Sequence, residues 1–64
     1  MAGKITKIEI ADELSRGSKA VEIANKSGLK KRTIEKYIEL MKKESGASNS
    51  AHLVGIYFRK QLIN

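Results

Sequence analysis

The chain has no cysteine, no proline and no tryptophan, and only two tyrosines, one phenylalanine and one histidine among its 64 residues. Without cysteine there is no disulfide framework, no thiolate metal site and no cysteine nucleophile, and nothing points to an oxidising compartment. No apolar run approaches the roughly 20 residues a membrane span requires. The opening "MAGKITKIEIADEL" has neither the apolar region nor the cleavage site of a secretory signal. The expectation is a soluble, cytoplasmic protein with no membrane partner. With no proline, no repeat and no dividing linker, residues 1–64 read as a single domain.

Catalytic equipment is missing as well. A chain this short buries only about 60% of the surface its unfolded form exposes, which leaves little room for a deep cleft. There is no Gly-rich phosphate loop, paired-acid site or nucleophile triad, and His52 has no Cys, Asp or Glu at ligand spacing. We therefore expect no enzyme activity, no metal and no cofactor. Acidic residues are also few: seven against thirteen basic ones, for a net charge of +6 and a pI near 9.9. That balance favours an anionic partner.

The positive charge is concentrated in one stretch. Lys30, Lys31, Arg32, Lys36, Lys42 and Lys43 face only Glu35 and Glu39 within residues 30–43, a local net of +4. Apolar residues recur at three and four throughout, which predicts four helices and no strand. The first runs from about Lys7 to Arg16 with Ile8, Ile10, Ala11 and Leu14 inward, and Thr6 and Glu9 form a capping box at its start. Gly17 ends it, and Ser18 is the expected cap of a second helix, about Lys19–Lys26, burying Val21, Ile23 and Ala24. Ser27-Gly28 breaks the chain. A third helix, about Lys31–Glu44, carries Ile34, Ile38 and Met41 on one stripe with Tyr37 beside it. After the polar loop 45–50, a fourth helix carries Leu53, Val54, Ile56, Tyr57, Phe58 and Leu62.

Two helices joined by a tight glycine turn make a helix-turn-helix unit. Ala24 is small enough for a close crossing, Gly28 supplies the turn, and Leu29 and Ile34 fill the angle between the helices. In an ordinary hairpin the outward positions of the second helix need not favour positive charge. In a DNA reader that face enters the major groove. Lys30-Lys31-Arg32 at the helix N-terminus opposes the macrodipole, which prefers acids there, and a phosphate would compensate.

The stretch "VEIANKSGLKKRTIEKYIELMKK", together with Glu9-Ile10, Gly17, Gly46 and Leu62-Ile63, resembles the LuxR/GerE-type (NarL-like) DNA-binding domain. The likeness is strongest at Glu22-Ile23-Ala24, Gly28-Leu29, Thr33-Ile34 and Tyr37. It implies an all-α, compact four-helix domain in which helices two and three form the helix-turn-helix and the C-terminal helix dimerises. It also implies a bacterial transcription regulator or its output domain, and leaves room for an upstream sensor or receiver domain. The chain departs from the family pattern in having Lys30 at the cap of the third helix, Glu44-Ser45 before Gly46, Ser50 at the start of the fourth helix, and Glu35 and Glu39 on the reading face.

The expected DNA-binding set is Ser18, Lys19, Lys30, Lys31, Arg32, Thr33, Glu35, Lys36, Tyr37, Glu39 and Lys43. Lys31, Arg32 and Lys36 are placed at or near base edges, and Ser18, Lys19, Lys30, Thr33 and Lys43 at phosphates. Glu35 and Glu39 either accept from cytosine amino groups, or are solvated or paired with Arg32, Lys36 or Lys43 at helical spacing. Leu53, Val54, Ile56, Tyr57, Phe58 and Leu62 exceed what one buried face can use. They are expected to form a weak homodimer interface, strengthened when double-stranded DNA holds two copies together. Two other classes compete: a helical protein-interaction module binding a regulator or polymerase subunit, and an RNA-binding domain. The second lacks the aromatic platforms that single-stranded RNA recognition uses.

Overall fold

Each helix is fixed at its ends by groups that lie close by in the chain. The computed structural model describes residues 5–63 and contains α1 (Lys7–Ser15), α2 (Ala20–Ser27), α3 (Lys31–Ser45) and α4 (Ser50–Arg59). The described residues are therefore all-α, without a strand. At α1 the Thr6 hydroxyl accepts the Glu9 N–H, and the Glu9 carboxylate accepts the Thr6 N–H, both at 3.1 Å. This is the expected capping box, and its Thr alone is worth about 1 kcal/mol. Gly17, at φ +87°, closes the helix. Ser18 N–H donates to Glu13 C=O and Gly17 N–H to Leu14 C=O, the paired bonds of a Schellman end.

The start of α2 departs from expectation. Its cap is Lys19, not Ser18. Glu22 reaches back to accept the Lys19 N–H at 2.7 Å, while the Ser18 hydroxyl donates to Glu13 at 2.8 Å. Gly28 ends α2 in the left-handed region at φ +76°, a conformation that only a residue without Cβ adopts at little cost. Lys30 then caps α3 without any side-chain hydrogen bond. At α4, Asn49 accepts the His52 N–H at 2.8 Å, and His52 Nδ1 accepts the Ser48 N–H at 3.1 Å. His52 is thus an exposed capping residue.

The end of α4 repeats the Schellman pattern without a glycine. Leu62 N–H donates to Tyr57 C=O and Gln61 N–H to Phe58 C=O, with Gln61 at φ +60°. A left-handed side-chain-bearing residue costs roughly 1–2 kcal/mol. The turn offsets that cost by sending Ile63 back into the core, where it is 6% exposed. Leu62, expected on the fourth helix, lies beyond its end.

All four helices contribute to one core: Ile10 and Ala11 from α1, Ile23 and Ala24 from α2, Ile34, Ile38 and Met41 from α3, and Leu53 from α4, closed by Ile63. Burying each large side chain contributes about 1.5–3 kcal/mol. α2 packs mainly on α3 and α1 mainly on α4, while α3 also touches α1 and α4. Ile8 and Val21, expected inward, are nearly half exposed. Each sits about 100° around its helix from the core direction, and the other apolar residues of α1 and α2 already fill the space available.

Polar ties join helices that share little apolar contact. Glu13 of α1 accepts from Lys26 of α2 at 3.0 Å as well as from Ser18. These two hydrogen bonds, Lys26 first, hold its carboxyl below the usual carboxylate range. Lys7 of α1 donates to Glu44 of α3 at 2.7 Å. That bond outweighs partial desolvation and raises the ammonium above the usual lysine value, with the charges of Glu44 and Tyr57 adding to it.

Candidate nucleic-acid interface

The apolar stripe of α3 decides what its other side presents. With Ile34, Ile38 and Met41 buried, the 100° helical step places Arg32, Lys36 and Lys43 almost opposite them, with Glu39 and Leu40 on either flank. These residues and Glu35 line one shallow recess of about 430 Å³ along the helix. Arg32, Lys36, Glu35, Glu39, Leu40 and Lys43 are all exposed.

Ion pairing separates the charges on this helix. Glu35 lies 3.9 Å from Lys31, and Glu39 lies 2.8 Å from Lys42. The acids therefore do not pair with Arg32, Lys36 or Lys43, the three partners weighed for them. Both acids lean toward lysines that flank the outward stripe, and Arg32, Lys36 and Lys43 make no ion pair among the described residues. Three cations with free heads thus stand in one row. From Arg32 to Lys43 the row rises about 16 Å, at 1.5 Å per residue.

The other expected contacts divide. Lys19 and Lys30 are exposed and unpaired, at the caps of α2 and α3. Thr33 is half-buried in the first turn of α3. Tyr37 is half-buried and its ring packs against the core cluster. Ser18 is tied to Glu13, so its hydroxyl serves the α1–α2 junction. Leu40, exposed at 45%, was not among the expected residues. Its helical position, about 160° around from Ile38 and beside Lys36 and Lys43, was the available signal.

The expected dimer set needs a correction. Leu53 is fully buried and belongs to the core of its own chain, because α4 turns that side toward α1 and α3. Val54, Ile56 and Tyr57 are half-buried, while Phe58 and Leu62 are exposed. Leu62 shares a recess of about 280 Å³ with Ile8, Glu9, Asp12, Arg16 and Ile63, so the apolar surface continues onto α1.

Among the described residues no cluster of three or more His, Cys, Asp or Glu could hold a metal, and no helix is long and apolar enough to cross a membrane. No family model, no curated protein and no solved structure matches the chain.

Proposed function

We propose that this chain binds double-stranded DNA through a helix-turn-helix of α2 and α3, as a LuxR/GerE-type transcription regulator or its output domain, working in the cytoplasm. One observation carries the reading. Every described acid is engaged by a cap or a cation, while the outward row Arg32, Lys36 and Lys43 is left without counter-charge. The major groove, about 12 Å wide, admits an α-helix. α3 laid along it can bring Lys36 over base edges, while Arg32 and Lys43, at the two ends of the row, come within reach of flanking phosphates. Lys19 and Lys30 supply further phosphate contacts from the two helix caps. Lys31, drawn toward Glu35, contributes less than its position in the sequence suggests.

Pairing of two copies is part of the proposal. Phe58 and Leu62 are the exposed apolar residues on the C-terminal side, and Val54, Ile56 and Tyr57 are half-buried on α4. A two-fold interface uses the same patch on both copies, and the two α3 helices then lie about 34 Å apart, one DNA turn. A patch this small falls short of the roughly 1,200 Å² of a stable complex, so DNA holds the pair together.

The experiment is a binding titration against duplex DNA, duplex RNA and a neutral polymer at several salt concentrations. Lys36→Ala is expected to weaken binding by about 1–3 kcal/mol and relax sequence preference. Unchanged affinity in Arg32→Ala, Lys36→Ala and Lys43→Ala alike would overturn the assignment.

A further inference from the structure

We propose that Leu40 reads the methyl group of a thymine in the major groove, making a T·A pair part of the recognised sequence. The inference rests on the DNA-binding reading of α3 and deepens it.

A lone exposed leucine on a protein surface needs no explanation. Leu40 differs in its surroundings. It is 45% exposed and lines the same recess as Arg32, Lys36 and Lys43. It lies four residues after Lys36 and three before Lys43, so it shares their side of the helix. Free cations on both sides bring this surface to a polyanion, and an apolar side chain held there meets the groove floor. In the major groove the one prominent apolar group is the thymine 5-methyl, and apolar side chains contact it. No cation or amide at this position could take that role.

Spacing adds a second constraint. Lys36 and Leu40 are separated by about 6 Å along the helix axis. Base pairs repeat every 3.4 Å, so the two side chains fall about two base pairs apart. A lysine over base edges favours the O6 and N7 acceptors of guanine. The expected core of the site is a guanine and a thymine separated by about one base pair.

The test uses the full chain and a duplex that it selects from a random-sequence pool. Each thymine of that duplex is then replaced singly by deoxyuridine, which removes the methyl and leaves the pairing edge intact. One buried methyl is worth about 0.8 kcal/mol, or roughly fourfold in affinity at 1.4 kcal/mol per tenfold. The expected result is a loss of that size at one thymine, with other positions near unity. Leu40→Ala, a surface change to a better helix former, should keep its helical circular dichroism and bind the thymine and uracil duplexes equally. Indifference of the wild type to every replacement, with salt-dependent duplex binding intact, overturns the role of Leu40 and leaves the DNA reading standing. Discrimination that survives Leu40→Ala also overturns it. Absence of salt-dependent binding to any duplex overturns both.

Discussion

Glu39 provides the sharpest test of which surface of this protein meets a polyanion. Its carboxylate is 73% exposed and 2.8 Å from Lys42, a lysine turned away from the outward row. Glu39→Gln therefore removes one negative charge from the flank of the row and leaves Arg32, Lys36 and Lys43 where they are. Glutamine has similar helix propensity, so stability should hardly change. Each phosphate neutralised contributes about 0.9 to the log–log slope of affinity against salt. If Glu39 offsets up to one cation, its loss steepens the slope by up to about 0.9, which is roughly eightfold in affinity at 0.1 M salt relative to 1 M.

The assay is fluorescence anisotropy with a labelled duplex across a salt series. Asp12→Asn is the control. Asp12 sits on α1, pairs with Arg16 and lines the recess with Leu62 and Ile63, not the one that runs along α3. At 0.1 M salt the screening length is about 10 Å, so its charge should be little felt at the outward row. Glu39→Gln with unchanged slope and unchanged affinity would refute the placement of this face on DNA. An equal gain from Asp12→Asn would reduce the effect to net charge alone.

Other expectations concern the scaffold. Leu53→Ala should cost about 2–5 kcal/mol, because Leu53 is fully buried, whereas Phe58→Ala, at a side chain 56% exposed, should leave the urea midpoint almost unchanged. Gly46→Ala and Gly55→Ala should have opposite signs although neither added methyl meets an atom within 4 Å. Gly46, at φ +76°, destabilises by roughly 1–2 kcal/mol, and Gly55, inside α4, stabilises by about 0.5–1 kcal/mol. Gln61→Gly should stabilise by relieving the left-handed glutamine at φ +60°, read as a higher melting temperature. Lys26 and Ser18 depress the Glu13 carboxyl, so its contribution is present above the ordinary carboxylate range and lost as pH falls through the lowered value. Glu13→Gln should therefore lower the urea midpoint near neutrality and match the wild type in strong acid. Lys7, raised by Glu44, behaves in mirror fashion: its contribution is present below the ordinary lysine range and lost as pH climbs through the raised value.

The helix starts and stops that were legible in advance were those with a local chemical cause. Thr6 with Glu9, and the left-handed glycines 17 and 28, act within one turn of chain, so their roles can be read without the fold. The end of α4 was not legible, because Gln61 occupies a position where glycine would have been the signal. Ile8 and Val21 were placed inward because three-and-four spacing gives the direction of an apolar stripe but not its width. That width is set by how much of each helix its neighbours cover. Leu53 and Phe58 make the same point on α4: the sequence shows more apolar residues than one face can use, and only packing decides that Leu53 is buried and Phe58 left exposed. On α3, spacing allowed Glu35 and Glu39 several basic partners. Lys31 and Lys42 take them, which depends on side-chain conformations that no sequence pattern specifies.

The division of labour among the charges links this scaffold to its proposed partner. Of the twelve described bases, five are held in ion pairs: Lys7, Arg16, Lys26, Lys31 and Lys42. Five of the remaining seven, Lys19, Lys30, Arg32, Lys36 and Lys43, lie on α2, α3 or their caps, and the other two, Arg59 and Lys60, lie at the C-terminal end of α4, where the helix dipole favours them. At α2 the first-turn Glu22 offsets Lys19, but the cap of α3 has no such compensation. α3 begins with Lys30, Lys31 and Arg32, carries no acid in its first turn and has no side-chain cap. In the free protein the start of α3 is thus held by the core beneath it, against its own electrostatics. A phosphate at that end meets unsatisfied N–H groups, the positive end of the dipole and the side chains of Lys30 and Arg32 together. On the proposed reading, the arrangement that weakens the isolated helix is the one that binds the nucleic acid, and duplex binding should stiffen the first turn of α3 more than any other part of the fold.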